Sequence, residues 1–524
     1  MLTIEKIILH NFKRFKDLTL NVNPDLNILV GDNESGKSTI LQAIDLVSRG
    51  SRKRVENLGL DRLFNTEVIE EFMKGDRNLN SIPEMFVELY FKEKQEIDLD
   101  GKNNSIKVDC TGIRLRAFLN DKYSELVAKI LTNSNVSFPF EFYSIEFETF
   151  SGQVYNGYNR KLRSIYIDNS TIGNPYAMNE YINDFYHSQL TEEERINIRH
   201  EYKNNKITFQ EKILTPYNTQ IAPYKFAIKD SSDDNIETDI MLVENNIPLE
   251  NKGTGMQCFI KTELALNRKG KGVDTVLIEE PENHLSYMKM LELINLIKCK
   301  GSTNRQLFIS THSDLIATRL NLKKCILFNS ATSKICSLAN LDEDTANFFI
   351  KAPDNNMLLF VLSNKVILVE GDAEFILLET LYKKTLNKEL SSSGIGVISV
   401  DGKCFKRYLQ IAKILGNKVA VITDNDKDYT ENITNNYSEY INNQHTNISI
   451  FADMDNDRYT FEVCLYKDNK SICDEEFNTP KRQLDIMQYM LKSKANVAFA
   501  LLKNRADSIV TPQYIQNALK WIDA

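Results

Sequence analysis

The octapeptide GDNESGKS, residues 31–38, constrains this chain more than any other stretch. It fits G-x-x-x-x-G-K-[ST], and its flanks agree with that pattern. The apolar run LNILV before it reads as a strand, and TILQAIDLV after it reads as a helix. Glycines at both ends allow backbone N–H groups to wrap phosphates, and the following helix N-terminus favours anionic charge. Lys37 is expected to reach the β- and γ-phosphates, and the Ser38 hydroxyl to ligate Mg²⁺. The ATP-binding candidates here are Gly31, Asn33, Gly36, Lys37, Ser38 and Thr39. A strand–loop–helix of this kind requires an α/β domain with the loop at a strand's carboxyl end.

Further pieces of a nucleotide site follow. The apolar run Val276-Leu277-Ile278 ends in Glu279-Glu280-Pro281-Glu282. Glu279 is placed for Mg²⁺, and Glu280 to orient or deprotonate an attacking water. A second apolar run, Leu307-Phe308-Ile309, leads through Ser310 and Thr311 to His312, at the spacing of the switch histidine of ABC-type ATPases. Gly253-Thr254-Gly255-Met256-Gln257 resembles the ABC signature Ser-Gly-Gly-Gln, with Thr254 replacing Ser and Met256 the second Gly. In ABC-type ATPases that segment caps the nucleotide of a second subunit. The departures leave open whether ATP is hydrolysed or mainly sensed, and no glutamine is assignable to a Q-loop.

The chain's 524 residues are enough for two to four domains. Residues 2–30 alternate and then run apolar, and 85–92 and 141–150 have period-2 patterning; these suggest strands of a mixed sheet, rejoined by strands at 273–280 and 306–312. Residues 175–213 are polar with helical period, and read as a helical insertion with a candidate dimerisation surface. The first domain is set at 1–350, a linker at 351–365 and a second domain at 366–524. The net charge of −8 argues against a general nucleic-acid coat protein but leaves room for a nucleic-acid enzyme. Eight scattered cysteines without a CxxC pair suit reduced thiols and a cytoplasmic location. The N-terminus lacks the pattern of a signal peptide, and no apolar run reaches the ~18 residues of a membrane span.

The second domain repeats strand–helix–strand: KVILVEG, FILLETLYKK, IGVISV, FKRYLQIAKIL, KVAVITDND. That is an α/β pattern with a parallel sheet. Glu370 ends the first strand, and Gly371 permits a tight turn. With a helix starting near Asp372, Glu374 points into the same crevice. Val419-Ala420-Val421-Ile422 runs into Thr423-Asp424-Asn425-Asp426, and an extended Asp-x-Asp puts both acids on one side. Converging carboxylates repel unless a cation neutralises them, and oxygen-only ligands suit Mg²⁺ or Mn²⁺. Asp428 reads more simply as a solvated turn acid.

A Glu followed by Asp-x-Asp some fifty residues later resembles the Toprim domain. Tyr459-Thr460-Phe461-Glu462 is similar to the Thr-Leu-Glu segment of Toprim domains in the OLD (overcoming lysogenisation defect) nucleases, where the Glu helps hold a second metal. Lys494 through Ala500 resembles their Lys-x-x-x-x-Phe-Ala stretch, where the Lys lies near the scissile phosphate. Gly402-Lys403 also fits. The first half resembles the SMC-like branch of ABC ATPases, but the stretch between its Walker motifs has no sustained heptads and so no long coiled-coil arms.

The resemblance covers nearly the whole chain. It implies metal-dependent DNA cleavage with two ions, held by Glu370, Glu374, Asp424, Asp426 and Glu462, and one further ion with ATP. Glu370 also serves as a base, and Lys494 offsets charge on the phosphate. It further implies a role in defence against phage, a homodimer or higher homo-oligomer, and for some members a helicase-like partner, as in Gabija, or a retron's reverse transcriptase and DNA. The basic stretches RGSRKR (49–54) and RKLR (160–163) are candidate phosphate contacts. Two alternatives stand beside this reading. One is an SMC-like DNA clamp without nuclease activity. The other is a topoisomerase, which needs a tyrosine nucleophile beside the acids.

Overall fold

The computed structural model describes residues 2–92, 98–133, 136–157, 159–169, 175–218, 225, 227–228, 236, 239–267, 273–300, 305–329, 335–352, 356–400, 404–441, 445–478 and 484–524. Gly402 and Lys403 lie outside them. The chain divides into two compact units, Met1–His312 and Ser313–Ala524.

In the first unit, alternation along Ile4–Phe12 buries Ile4, Ile7, Leu9 and Phe12, with one register shift between Ile4 and Lys6. This strand pairs antiparallel with Phe15–Asn21 and Met85–Phe91. The sheet continues through Cys110–Leu119 to Tyr143–Thr149. A different set of strands builds the nucleotide edge. Leu26–Gly31, Gln306–Thr311, Thr275–Glu279 and Ser164–Asp168 lie side by side, all parallel. They are almost continuously buried, as parallel strands covered on both faces must be. The three N-terminal strands therefore do not share one sheet. Leu26–Gly31 leaves the antiparallel layer because its partner is Gln306–Thr311.

The insertion at 175–213 contains helices Pro175–Gln189 and Glu192–Phe209. A capping box at Thr191 and Glu194 starts the second helix. Tyr181 in the first donates its hydroxyl to the Lys261 carbonyl at 2.9 Å, which roots the insertion on the helix Thr254–Leu266.

The second unit is built on a four-stranded parallel sheet in the order Ile395–Ser399, Lys365–Val369, Lys418–Ile422, Ile448–Phe451. In chain order that is 2-1-3-4, so connections leave in opposite directions between Lys365–Val369 and Lys418–Ile422. Ligand sites of open α/β sheets lie at such a point, beyond the carboxyl ends of the strands. Ile367, Val369, Ala420 and Ile422 face a core with Leu377 and Leu381 of the helix Asp372–Leu386 and with Leu501. Their neighbours Val366, Leu368, Val419 and Val421 are equally buried and point to the opposite face.

The division between units precedes the linker expected over 351–365. Helices Glu343–Lys351 and Met357–Leu362 pack on the helix Phe405–Leu415 of the second unit, with Phe349 and Phe360 meeting Tyr408 edge-on at 5.0 and 5.1 Å. Met357, Phe360 and Val361 are buried, as apolar residues at helical spacing would be in a core element.

Candidate functional site

The four parallel strands of the first unit all end at one edge, and each delivers a polar residue there. Leu26–Gly31 leads into the phosphate loop, where Gly36 has φ +104°, a conformation that suits glycine. A Cβ at Gly36 would also lie 2.4 Å from the Phe15 ring, so the loop sits tightly on the first hairpin. Lys37 Nζ is held by the carbonyls of Gly31 and Asp32, both at 2.8 Å. Burial lowers its pKa to about 8 against the opposing pull of Glu280 and Asp32, so the ammonium has unmet demand for negative charge.

Glu279 ends Thr275–Glu279 and is buried. It receives hydrogen bonds from Ser38 and Tyr166, while burial raises its pKa. The two residues expected to hold Mg²⁺ beside ATP, Ser38 and Glu279, are thus in contact. Glu280 has φ +44°, unusual for a non-glycine residue. Its N–H bonds the Ser310 carbonyl at 3.0 Å, and its carboxylate meets Asn283 Nδ2 at 2.7 Å and His312 Nε2 at 3.2 Å. Asn33, Gly36, Lys37, Ser38, Thr39, Glu280 and His312 line a cleft of about 290 Å³ together with Lys13 and Arg14.

Lys13, Arg14 and Asn169 were not anticipated as site residues. The first two form the turn of the hairpin Ile4–Asn21, and sheet pairing brings that turn to the loop. The signal was the pair of cations between Phe12 and Phe15. Asn169 follows Ser164–Asp168 and donates to the carbonyls of Glu279 and Glu280 at 2.9 and 3.2 Å.

Thr254 and Gly255 do not line this cleft. They begin the helix Thr254–Leu266, and a Cβ on Gly255 would meet the His284 carbonyl at 2.2 Å. The signature-like helix therefore packs directly on the loop that follows Glu280.

The second unit gathers its acids at the switch point. Glu370 follows Lys365–Val369, and one of its oxygens accepts from Thr423 Oγ1 at 3.2 Å and Asp424 N at 3.3 Å. Glu374 lies in the first turn of Asp372–Leu386, 6% exposed, with its carboxylate folded back over Gly371. Asp424 is 9% exposed and accepts from the Phe461 N–H at 2.8 Å. Glu462 lies one residue further, in the first turn of the helix Phe461–Asp468 that Thr460 caps. It is 2% exposed, neither oxygen takes a hydrogen bond, and Lys494 Nζ faces it at 3.3 Å.

Burial, then the neighbouring acids, raises Glu374 to about 7. Burial, then Glu370, Glu374 and Glu462, raises Asp424 to about 8. Lys494 loses some proton affinity through burial but is raised on balance by Glu462, Asp424 and Glu374. Among the described residues no three of these side chains close into a ligand set. The donor chemistry nonetheless fits a hard divalent cation: all oxygen, mostly buried, with both oxygens of Glu462 left without a hydrogen bond.

Asp426 differs from expectation. The strand ends at Ile422, and Asp426 has φ +50° and is exposed, so the extended Asp-x-Asp geometry does not hold. The cause is Asn425, 1% exposed, whose Nδ2 donates to the carbonyls of Asp453 and Asp455 at 2.8 and 3.0 Å and whose Oδ1 accepts from Lys427 N at 2.9 Å. This clasp turns the backbone immediately after Asp424. Asp428 accepts from the Glu431 N–H at 3.0 Å, as a turn acid does.

Two tyrosines sense the acids. Burial and then Glu370 push Tyr437 up to about 12, and burial, then Cys464, Asp424, Glu374 and Glu462, raises Tyr514 well above the ordinary tyrosine value. Both tyrosines are buried, Tyr437 at 4% and Tyr514 at 6% exposure. In the basic stretch 49–54, Arg49 and Arg54 are paired with Asp45 at 2.6 and 3.0 Å, and Arg52 with Glu56 at 2.8 Å.

Comparison with known proteins places both halves. Residues 26–318, more than half of the chain, match the family described as "AAA domain, putative AbiEii toxin, Type IV TA system". Residues 361–426 match "Overcoming lysogenization defect protein-like, TOPRIM domain". The Old nuclease of Escherichia phage P2 is 26% identical over 176 residues, which cover 32% of this chain and 30% of the nuclease. The DNA replication and repair protein RecF of Stenotrophomonas maltophilia is 39% identical over 82 residues, 15% of this chain and 22% of RecF. The matched stretches thus span less than a third of either relative. Among solved structures, the C-terminal region of the Burkholderia pseudomallei OLD protein covers 31% of this chain and 97% of its own, at 21% identity and a TM-score of 0.25. The SMC head domain from Thermotoga maritima covers 64% and 98%, at 15% identity and a TM-score of 0.29.

Proposed function

This chain belongs to the OLD family, an AAA-type ATPase head followed by a Toprim domain, and on that premise we propose that it is an ATP-binding, metal-dependent DNA endonuclease. The observation that carries the reading is Glu462: a buried carboxylate without hydrogen bonds, set among Glu370, Glu374 and Asp424 and faced by Lys494. Glu370, Glu374, Asp424 and Glu462 would hold Mg²⁺ or Mn²⁺, with Asp426 joining by a turn of its exposed side chain. Two ions bound there would supply charge to a phosphodiester under in-line attack. Glu370 is the base that accepts a proton from water. Lys494 sets its ammonium against charge developing on the phosphate.

In the head, Lys37 and the loop N–H groups take the triphosphate, Ser38 and Glu279 hold its Mg²⁺, and Glu280, steadied by Asn283 and His312, orients water. A second copy would bring Thr254 and Gly255 over this cleft, as a homodimer or higher oligomer. Exposed Ile196, Ile207 and Phe209 on the 175–213 insertion support contact between copies. The head gates the nuclease. Defence against phage in the cytoplasm, alone or with a helicase-like or retron partner, is the role that suits such an enzyme. No described helix is long and apolar enough to cross a membrane.

Nicking of supercoiled plasmid in Mg²⁺ or Mn²⁺, with and without ATP, tests the reading. The expected result is cleavage that Glu370→Ala and Asp424→Ala each abolish. Cleavage that survives both substitutions would place the chemistry elsewhere.

A further inference from the structure

A carboxylate cluster repels the phosphates it is meant to cut, so the surrounding surface must supply cations. Lys494 does so on one face of the parallel sheet. Its helix Lys494–Arg505 packs along Asp372–Leu386, and Lys384 Nζ reaches the Asp507 carbonyl at 2.7 Å near the helices' other ends. The opposite face is covered by Phe405–Leu415, since successive right-handed crossovers on either side of a switch point take opposite faces. Near the start of that helix stands Lys406.

Lys406 is exposed, and its Nζ sits over the Tyr437 ring, 5.8 Å from the centroid. Tyr437 in turn lies close enough to Glu370 to feel its charge. The nearby acid Glu439 is hydrogen-bonded to Lys413. Lys427 repeats the arrangement in the turn after Asp426. It is exposed, with Nζ 4.5 Å from the centroid of Tyr459, whose carbonyl accepts the Asp426 N–H at 3.2 Å. Among the described residues neither lysine has a carboxylate within ion-pair distance, although Lys406, after Lys413 and His445, adds to the positive field that lowers the Glu439 pKa. An exposed lysine usually loses rotamer freedom when it binds. A ring face that already seats the ammonium reduces that loss and leaves the charge available.

We propose that Lys406 and Lys427 are phosphate contacts for the DNA strand cut at the carboxylate centre. With Lys494 they set cations on both faces of the sheet edge, so a strand crossing that edge meets positive charge on either side of Glu370 and Asp424. The inference rests on the nuclease reading, and it assigns these two residues to binding and not to chemistry.

The test measures equilibrium binding of a short duplex to the full chain over a range of salt concentrations, beside plasmid-nicking kinetics and Mn²⁺ affinity. Lys406→Ala and Lys427→Ala are each expected to lower the slope of log K against log salt by about 0.9, and the double variant by about 1.8. KM for DNA rises while kcat and Mn²⁺ affinity stay at wild-type values, and Lys→Arg at either position restores binding. A double variant with wild-type salt slope and KM overturns the proposal, as does a wild-type chain that binds no DNA. A wild-type chain that binds DNA through these lysines but nicks nothing keeps the contact and removes the nuclease reading.

Discussion

Lys494 Nζ stands 3.3 Å from a carboxylate oxygen of Glu462, the most deeply buried acid of the second unit's cluster and one that accepts no hydrogen bond. The lysine is half exposed, so one side of its ammonium faces the acid and the other faces solvent, where a phosphate would arrive. Lys494→Ala is expected to lower kcat for nicking by roughly 10²-fold, the usual effect of removing one preorganised charge donor, with little change in KM. Steady-state nicking kinetics check this. A rise in KM at constant kcat would instead make Lys494 a binding residue.

The acids give the metal-free protein a defined pH dependence. Asp424 at about 8 and Glu374 at about 7 both lie above ordinary carboxylate values because of burial and then their neighbours' charge. Between about pH 4 and 8 the folded state therefore holds more protons than the unfolded state, so stability falls as pH rises through that window. In chelator, the melting temperature of the second unit should be lower at pH 8 than at pH 5. Asp424→Asn should flatten the slope and raise the pH 8 value by at least about 2–4 °C, the shift that 1 kcal/mol gives in a unit of this size. Thermal melts at the two pH values decide it.

Asn425 ties the Asp424 turn to the loop that carries Glu462. Its side chain holds the Asp453 and Asp455 carbonyls, and the Phe461 N–H bonds Asp424. Asn425→Ala is expected to weaken Mn²⁺ binding about 10-fold or more, in the range found for supporting residues around metal sites. Excess Mn²⁺ should restore nicking to Asn425→Ala but not to Asp424→Ala. Titration of Mn²⁺ against both variants reads the difference.

In the head, Lys37→Ala removes the ammonium that sits at the mouth of the phosphate loop and should abolish ATP binding. Glu280→Gln should leave binding intact and slow hydrolysis. If ATP gates the nuclease by occupancy, the two variants will differ in how nicking responds to ATP concentration. Identical responses would remove the support for gating by binding without turnover.

Local signals made much of this legible. GDNESGKS and VILVEG each pair an apolar strand with a turn and a helix start, and each forms that unit. Glu374 faces back over Gly371 because the helix begins at Asp372, as its spacing required.

What sequence reading missed depended on distant contacts. Lys13 and Arg14 reach the phosphate loop through sheet pairing. Asp426 leaves the extended path because Asn425 clasps a loop some thirty residues later. Arg49 and Arg54, candidate phosphate contacts in the sequence, are both held by Asp45, one helical turn before Arg49. The strand Cys110–Leu119 was hidden by arginines at 114 and 116, the first of which is neutralised by Glu148 at 2.6 Å.

The central claim is that the acids of the second unit form a metal centre. Mn²⁺ binding without nucleotide, followed by electron paramagnetic resonance in the full chain, tests it apart from any substrate. Wild type is expected to bind Mn²⁺, and Glu462→Gln and Asp424→Asn each to lose at least about 10-fold in affinity, because each removes a negative oxygen ligand. Mn²⁺ affinity and stoichiometry unchanged in both variants would contradict the account.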